Sequence, residues 1–168
     1  MLELLILYML NKCENTLYGL KKEIATHYGE VSIPSHGALF PAIKRLENAG
    51  LLKIRKKLSD GGKRYTYYSV DNISSYFNKK FIEFNNAKSE TLDNFLNWLK
   101  IRLIVVDMLD ETLIGEFKEK CLLKFDIFKK NALSKLDNKY LELTEIQKNL
   151  LQISINEIEV YTKIIKEL

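Results

Sequence analysis

Eight basic side chains, Lys44, Arg45, Lys53, Arg55, Lys56, Lys57, Lys63 and Arg64, fall within 21 residues of one another. Such a run neutralises a polyanion, Arg by forked hydrogen bonds to phosphate and Lys as a mobile point charge. Just ahead of it, Ser35 and His36 offer a hydroxyl and an imidazole, groups that reach phosphates or base edges. Any one of these lysines also reads as part of a solvated face. Only their convergence on one side of a domain would make a site.

Other chemistry finds no constellation. The chain has two histidines, and His36 beside Ser35 is too close in sequence to act as base to a nucleophile, since such groups converge from separate positions. Asp107, Asp110 and Glu111 have spacings that place acids on one helix face, but they read as a solvated helix terminus rather than a cation site. No P-loop, GxGxxG or HExxH pattern occurs. Cys13 and Cys121 stand far apart without metal-ligand spacing, so no disulfide framework, metal or cofactor is expected. The apolar run Leu4 to Leu10 is too short to span a membrane and lacks the flanks of a cleaved leader, so a cytoplasmic protein is expected.

The elements that must position the basic groups follow from period and punctuation. Both prolines, and all glycines but Gly115, precede residue 63, so turns belong to the first part and long helices to the second. "LELLILYMLNK" reads as a helix apolar nearly all round, and polar "CENT" breaks it. "LYGLKKEIATHY" forms a second helix with Leu17, Leu20 and Ile24 inward, closed by Gly29. A third carries the stripe Leu39, Ile43, Leu46 and ends at Gly50, with Ser35, His36, Lys44 and Arg45 on its other face and Pro41 expected to bend it. After Gly50 the period becomes two. "LLKIRKKL" and "RYTYYSV" flank Ser59-Asp60-Gly61-Gly62-Lys63 as a β-hairpin, with Leu52 and Ile54 alternating against the basic residues. Three helices and a basic-tipped hairpin make a winged helix-turn-helix over residues 1–70, followed by a linking helix at 71–85 and an all-helical dimerisation region at 86–168. The fold class is mainly α.

Charge agrees with this division. Residues 1–70 hold 11 Lys and Arg against 6 Asp and Glu, and residues 71–168 hold 15 against 16. A basic domain suits double-stranded DNA, a near-neutral one a protein partner. In the second half Leu92, Leu96, Leu99, Leu103 and Val106 follow heptad spacing. A further helix carries Phe117, Cys121, Phe125, Phe128, Ala132, Leu136 and Tyr140. The last carries Ile146, Leu150, Ile153, Val160 and Ile164, with Leu151, Ile155, Ile158 and Ile165 on another face. These are more apolar faces than one protomer covers, and a homodimer is expected.

"LELLILYML", "LYGLKKEI", "HGALFPAIKRLENAGLL" and "DGGKRYTYYSV" occur in order and at spacings that resemble the PadR family of bacterial transcriptional regulators, over about Leu2 to Val70. The resemblance implies a dimeric regulator, mostly a repressor, that binds an inverted-repeat operator and is in many members released by a small ligand. Carried over by position, Tyr18 reaches the DNA backbone, Ser35, His36, Gly37, Pro41 and Lys44 lie in the recognition helix, and Lys63 and Arg64 in the wing. Where the family pattern has Thr and Tyr, this chain has Ala38 and Phe40, losing two hydroxyls that could bond phosphate. Trp98 is the candidate for stacking a small aromatic effector, beside its reading as a core or interface residue. The rival reading is a winged-helix module that binds protein and not DNA.

Overall fold

The computed structural model describes residues 2–29, 31, 34–58, 61–86 and 91–168, with His36 described in its backbone alone. The chain is mainly helical, with a winged helix-turn-helix followed by a helical region. Contacts divide it into two units, Met1–Lys80 with Phe95–Leu109, and Phe81–Asn94 with Asp110–Leu168.

In the first unit, helix α1 (Leu2–Lys12) buries every residue from Leu4 to Leu10, as its uninterrupted apolar sequence requires. Helix α2 (Leu17–Tyr28) turns Leu20 and Ile24 inward, and α3 (His36–Asn48) does the same with Leu39, Ala42, Ile43 and Leu46. Full burial of each such side chain is worth about 1.5–3 kcal/mol, so these three stripes dominate the unit's stability. Both α2 and α3 start at a hydroxyl cap. Thr16 Oγ1 accepts from Gly19 N–H and Ser35 Oγ from Ala38 N–H, each at 3.1 Å. Helix α3 stops because Gly50 takes φ +69°, which lets Gly50 N–H reach Glu47 O at 2.9 Å and Leu51 N–H reach Leu46 O at 3.0 Å. Pro41 sits inside α3 without interrupting it.

The break at "CENT" also builds a strand that the sequence reading passed over. β1 (Asn15–Thr16) pairs antiparallel with β3 (Arg64–Ser69), which pairs on its other side with β2 (Lys53–Leu58), giving the order β1-β3-β2. Every residue of β2 is exposed, including Ile54, so the expected alternation of an inward and an outward face is absent. With a single sheet layer and one edge free, β2 has nothing to bury against. Gly62 supplies φ +75° at the turn; Ser59 and Asp60 lie outside the described residues.

Helix α4 (Ser74–Asn85) is shorter at its start than Asn72, whose side chain instead accepts from Ser74 N–H at 3.3 Å. Helix α5 (Leu92–Ile104) ends before the heptad seam does: Val106 belongs to the single 3-10 turn Val106–Met108. Phe95, Leu99 and Ile101 are buried, and Tyr8 Oη donates to Asp107 Oδ2 at 3.1 Å, tying that turn to α1. Burial, chiefly, and the Asp107 carboxylate hold the Tyr8 hydroxyl above its ordinary pKa. Asp107 is thus engaged by a phenol.

In the second unit, α6 (Glu111–Asp137) pairs with α7 (Glu145–Glu167). Asp110 caps α6 through Leu113 N–H at 2.8 Å, and Thr144 with Gln147 forms a capping box on α7. Phe117, Cys121, Phe125 and Ala132 are the buried stripe of α6, and Phe117 meets Phe81 edge-on with centroids 5.1 Å apart. Tyr140 does not continue that stripe. The helix has ended at Asp137, and Tyr140 is 98% exposed. On α7 the buried residues are Ile155, Ile158 and Ile165, while Ile146, Leu150, Ile153, Val160 and Ile164 are exposed. At 100° per residue the two seams point about 140° apart, so no single neighbouring helix covers both. Among the described residues, no helix is long and apolar enough to cross a membrane.

Candidate nucleic-acid interface

The outward face of α3 is set by its buried one. With Leu39, Ala42, Ile43 and Leu46 inward, Gly37, Phe40, Pro41, Lys44, Arg45 and Asn48 face solvent. Ser35 is the cap at the start of this face, and its oxygen is occupied by Ala38 N–H. His36 is the first helical residue, and its side chain lies outside the described residues. Tyr18 stands on the first turn of α2, 72% exposed.

Several cations of the first unit are paired with acids. Lys44 Nζ lies 2.7 Å from Glu47 Oε2, and Arg45 Nε lies 2.6 Å from Glu3 Oε1. Lys53 pairs with Asp71, and Arg55 pairs with Glu14 while its guanidinium lies 5.3 Å from the Tyr67 ring centroid. The Glu47 hydrogen bond, with its negative charge, raises the Lys44 pKa. Burial, and secondarily the charge of Glu47, raises that of Tyr68 on β3, so the latter part of α3 and the sheet share one electrostatic environment. Lys56 and Lys57 are exposed on β2. Lys63 precedes β3 with Nζ 5.6 Å from the Tyr65 ring, and Arg64 opens the strand, also exposed.

Around the first helix turn the packing explains a Tyr-Gly pair. Asn15 folds its side chain so that Oδ1 accepts from Thr16 N–H at 2.9 Å, directly over Gly19. A Cβ at Gly19 would overlap Oδ1 and come within 2.8 Å of Asn15 Cγ. Gly19 therefore leaves room for the Asn15 side chain of β1, and Tyr18 next to it is exposed.

The comparisons with known proteins bear on this segment. Residues 6–72 match the transcriptional regulator PadR-like family. The match covers the winged-helix segment and stops at the start of the helical region. No curated protein sequence matches the chain. Among solved structures, the chain is similar to Bacillus subtilis PadR in complex with operator DNA, at 14% identity over 99% of this chain and 96% of that one, TM-score 0.46. It is similar to a PadR family transcription regulator from Clostridium difficile R20291, at 27% identity over 48% of this chain and 84% of that one, TM-score 0.40. It is similar to Bacillus subtilis PadR in complex with p-coumaric acid, at 13% identity over 99% and 95%, TM-score 0.39.

Within the matched segment, His36 and Lys44 lie on α3 with Ser35 as its cap, and Arg64 opens β3 with Lys63 just before it. Trp98 lies on α5, 39% exposed, with Arg102 Nη1 donating to its carbonyl at 3.1 Å and the guanidinium 6.0 Å from its ring. Arg102 is itself buried and also donates to Lys80 O at 3.4 Å. Sequence reasoning took Lys53 and Arg55 as phosphate ligands without their acid partners. Those partners, Asp71 and Glu14, are distant in sequence, and only strand pairing brings them near.

Proposed function

We propose that this chain is a sequence-specific DNA-binding transcriptional regulator, without enzymatic activity or cofactor, acting in the cytoplasm as a homodimeric repressor on an inverted-repeat operator. The observation that carries this reading is helix α3 in the segment that matches the PadR-like family, held by a buried stripe with its opposite face free for a major groove. In this reading Tyr18 and Ser35 contact the backbone, His36 and Lys44 enter the groove, and Lys63 and Arg64 on the wing meet a minor groove or flanking phosphate. Residues 86–168 serve dimerisation through the exposed α7 seam, and a small aromatic effector stacking on Trp98 would release the operator.

A second reading, a winged-helix module for a protein partner, draws on the exposed aromatics Tyr18 and Phe40. A gel shift with the purified protein and the promoter upstream of its own gene separates the two. The DNA reading expects a discrete complex that random duplex competes away only in large excess. Binding no tighter to the promoter than to random duplex overturns it.

A further inference from the structure

Beyond His36, whose side chain lies outside the described residues, the exposed face of α3 offers a groove few hydrogen-bonding groups. Gly37 and Pro41 carry no polar side-chain atom, the Ser35 oxygen is taken by Ala38 N–H, and Lys44 is bonded to Glu47. What projects instead is Phe40, 51% exposed, with the Lys44 ammonium 6.0 Å from its ring centroid. At about 6 Å a cation is still weakly attracted to the face of an aromatic ring. A phenyl ring left half in water on the face that enters DNA costs free energy until something apolar covers it. In the major groove the apolar feature is the C5-methyl group of thymine, and a phenyl ring is among the groups that contact it.

We propose that Phe40 is a specificity-determining residue that selects thymine by packing on its C5-methyl group. This rests on the DNA-binding reading above, and the occupant it names is the major groove of a duplex carrying T at the base pairs facing the first half of α3. The basic wing residues Lys63 and Arg64 provide the electrostatic attraction that brings such a duplex to this unit. Ring contact makes the preference one of shape and methyl content, distinct from the hydrogen-bonded readout that Arg or Asn would supply.

The test is selection of bound duplexes from a random library with the full chain, then replacement of each thymine in the selected site by deoxyuridine, which deletes the methyl alone. The expected result is a loss of affinity of about threefold to fivefold at one or two positions per half-site, the size of one buried methyl group. Phe40→Ala should bind thymine and deoxyuridine duplexes equally, and Phe40→Tyr, which keeps the ring, should restore the difference. Equal binding of both duplexes by the unaltered protein overturns the proposal and leaves DNA binding standing. So does a Phe40→Ala protein that still discriminates. If no duplex is enriched, DNA binding fails and the proposal with it.

Discussion

Lys44 and Glu47 stand one turn apart on α3 with Nζ and Oε2 at 2.7 Å, so a cation on the exposed face of α3 is paired within its own helix. The pair is exposed, and its worth to stability is small. Its effect on DNA binding is expected to be larger, since the carboxylate competes with DNA for the Lys44 ammonium. Glu47→Gln should therefore tighten DNA binding and steepen the dependence of log affinity on log salt by about one unit. Titrations at several salt concentrations check this. An unchanged slope would show that Glu47 does not withhold Lys44 from DNA.

Residues that position and residues that specify should separate by mutation. Lys63→Ala should weaken binding to all sequences alike and lower the salt slope by about one unit. His36→Ala should cost on the order of 1–3 kcal/mol at the selected site and much less on scrambled duplex. Equal losses on both duplexes for His36→Ala, together with an unchanged slope for Lys63→Ala, would refute this division.

The exposed seam of α7 sets up a test of assembly. Ile146 is 73% exposed, and Ile153 and Val160 are each 55% exposed, at heptad spacing. Light scattering should give a dimer for the full chain and a monomer for the double variant Leu150→Glu, Ile153→Glu. Deleting Ile146–Leu168 should yield monomer or aggregate, because that removes the buried seam as well. A well-folded full-length monomer at micromolar concentration would contradict the homodimer.

The two cysteines differ in burial, Cys13 exposed and Cys121 buried between Phe117 and Phe125 on the inner stripe of α6. A thiol reagent should label one equivalent quickly, Cys13, and the second only at the rate of unfolding or local opening. Rapid labelling of Cys121 in the native protein would mean that the α6–α7 packing opens easily.

Where periodicity was strong, local sequence determined structure closely. The apolar α1, surrounded by α2, α3 and β3, and α2 with Leu20 and Ile24 inward, lie where composition and spacing place them. What local pattern could not show depended on pairing across the chain. Asn15 and Thr16 become a strand only because Tyr68 and Tyr67 come alongside. The β2 alternation has no meaning without a second layer, and Tyr140 keeps the spacing of a helix that has already ended. The candidate site followed the same rule. Ser35 and His36 at the start of α3 were legible, whereas the acids that neutralise Arg45, Lys53 and Arg55 came from Glu3, Asp71 and Glu14 on other segments.

Strand β2 has one further consequence. It is the outer strand of its sheet, six residues long, with every side chain exposed and one row of backbone donors and acceptors left open on its far side. Such an edge invites a strand from another molecule, and Lys and Arg are what deter it, since two like-charged edges repel before they pair. With Lys53 and Arg55 paired to Asp71 and Glu14, Lys56 and Lys57 are expected to keep the protein from self-templated aggregation whether or not DNA is bound. Neutralising Lys56 and Lys57 together should produce turbidity on concentration. Lost DNA binding in that variant has meaning only when light scattering shows the sample still dispersed.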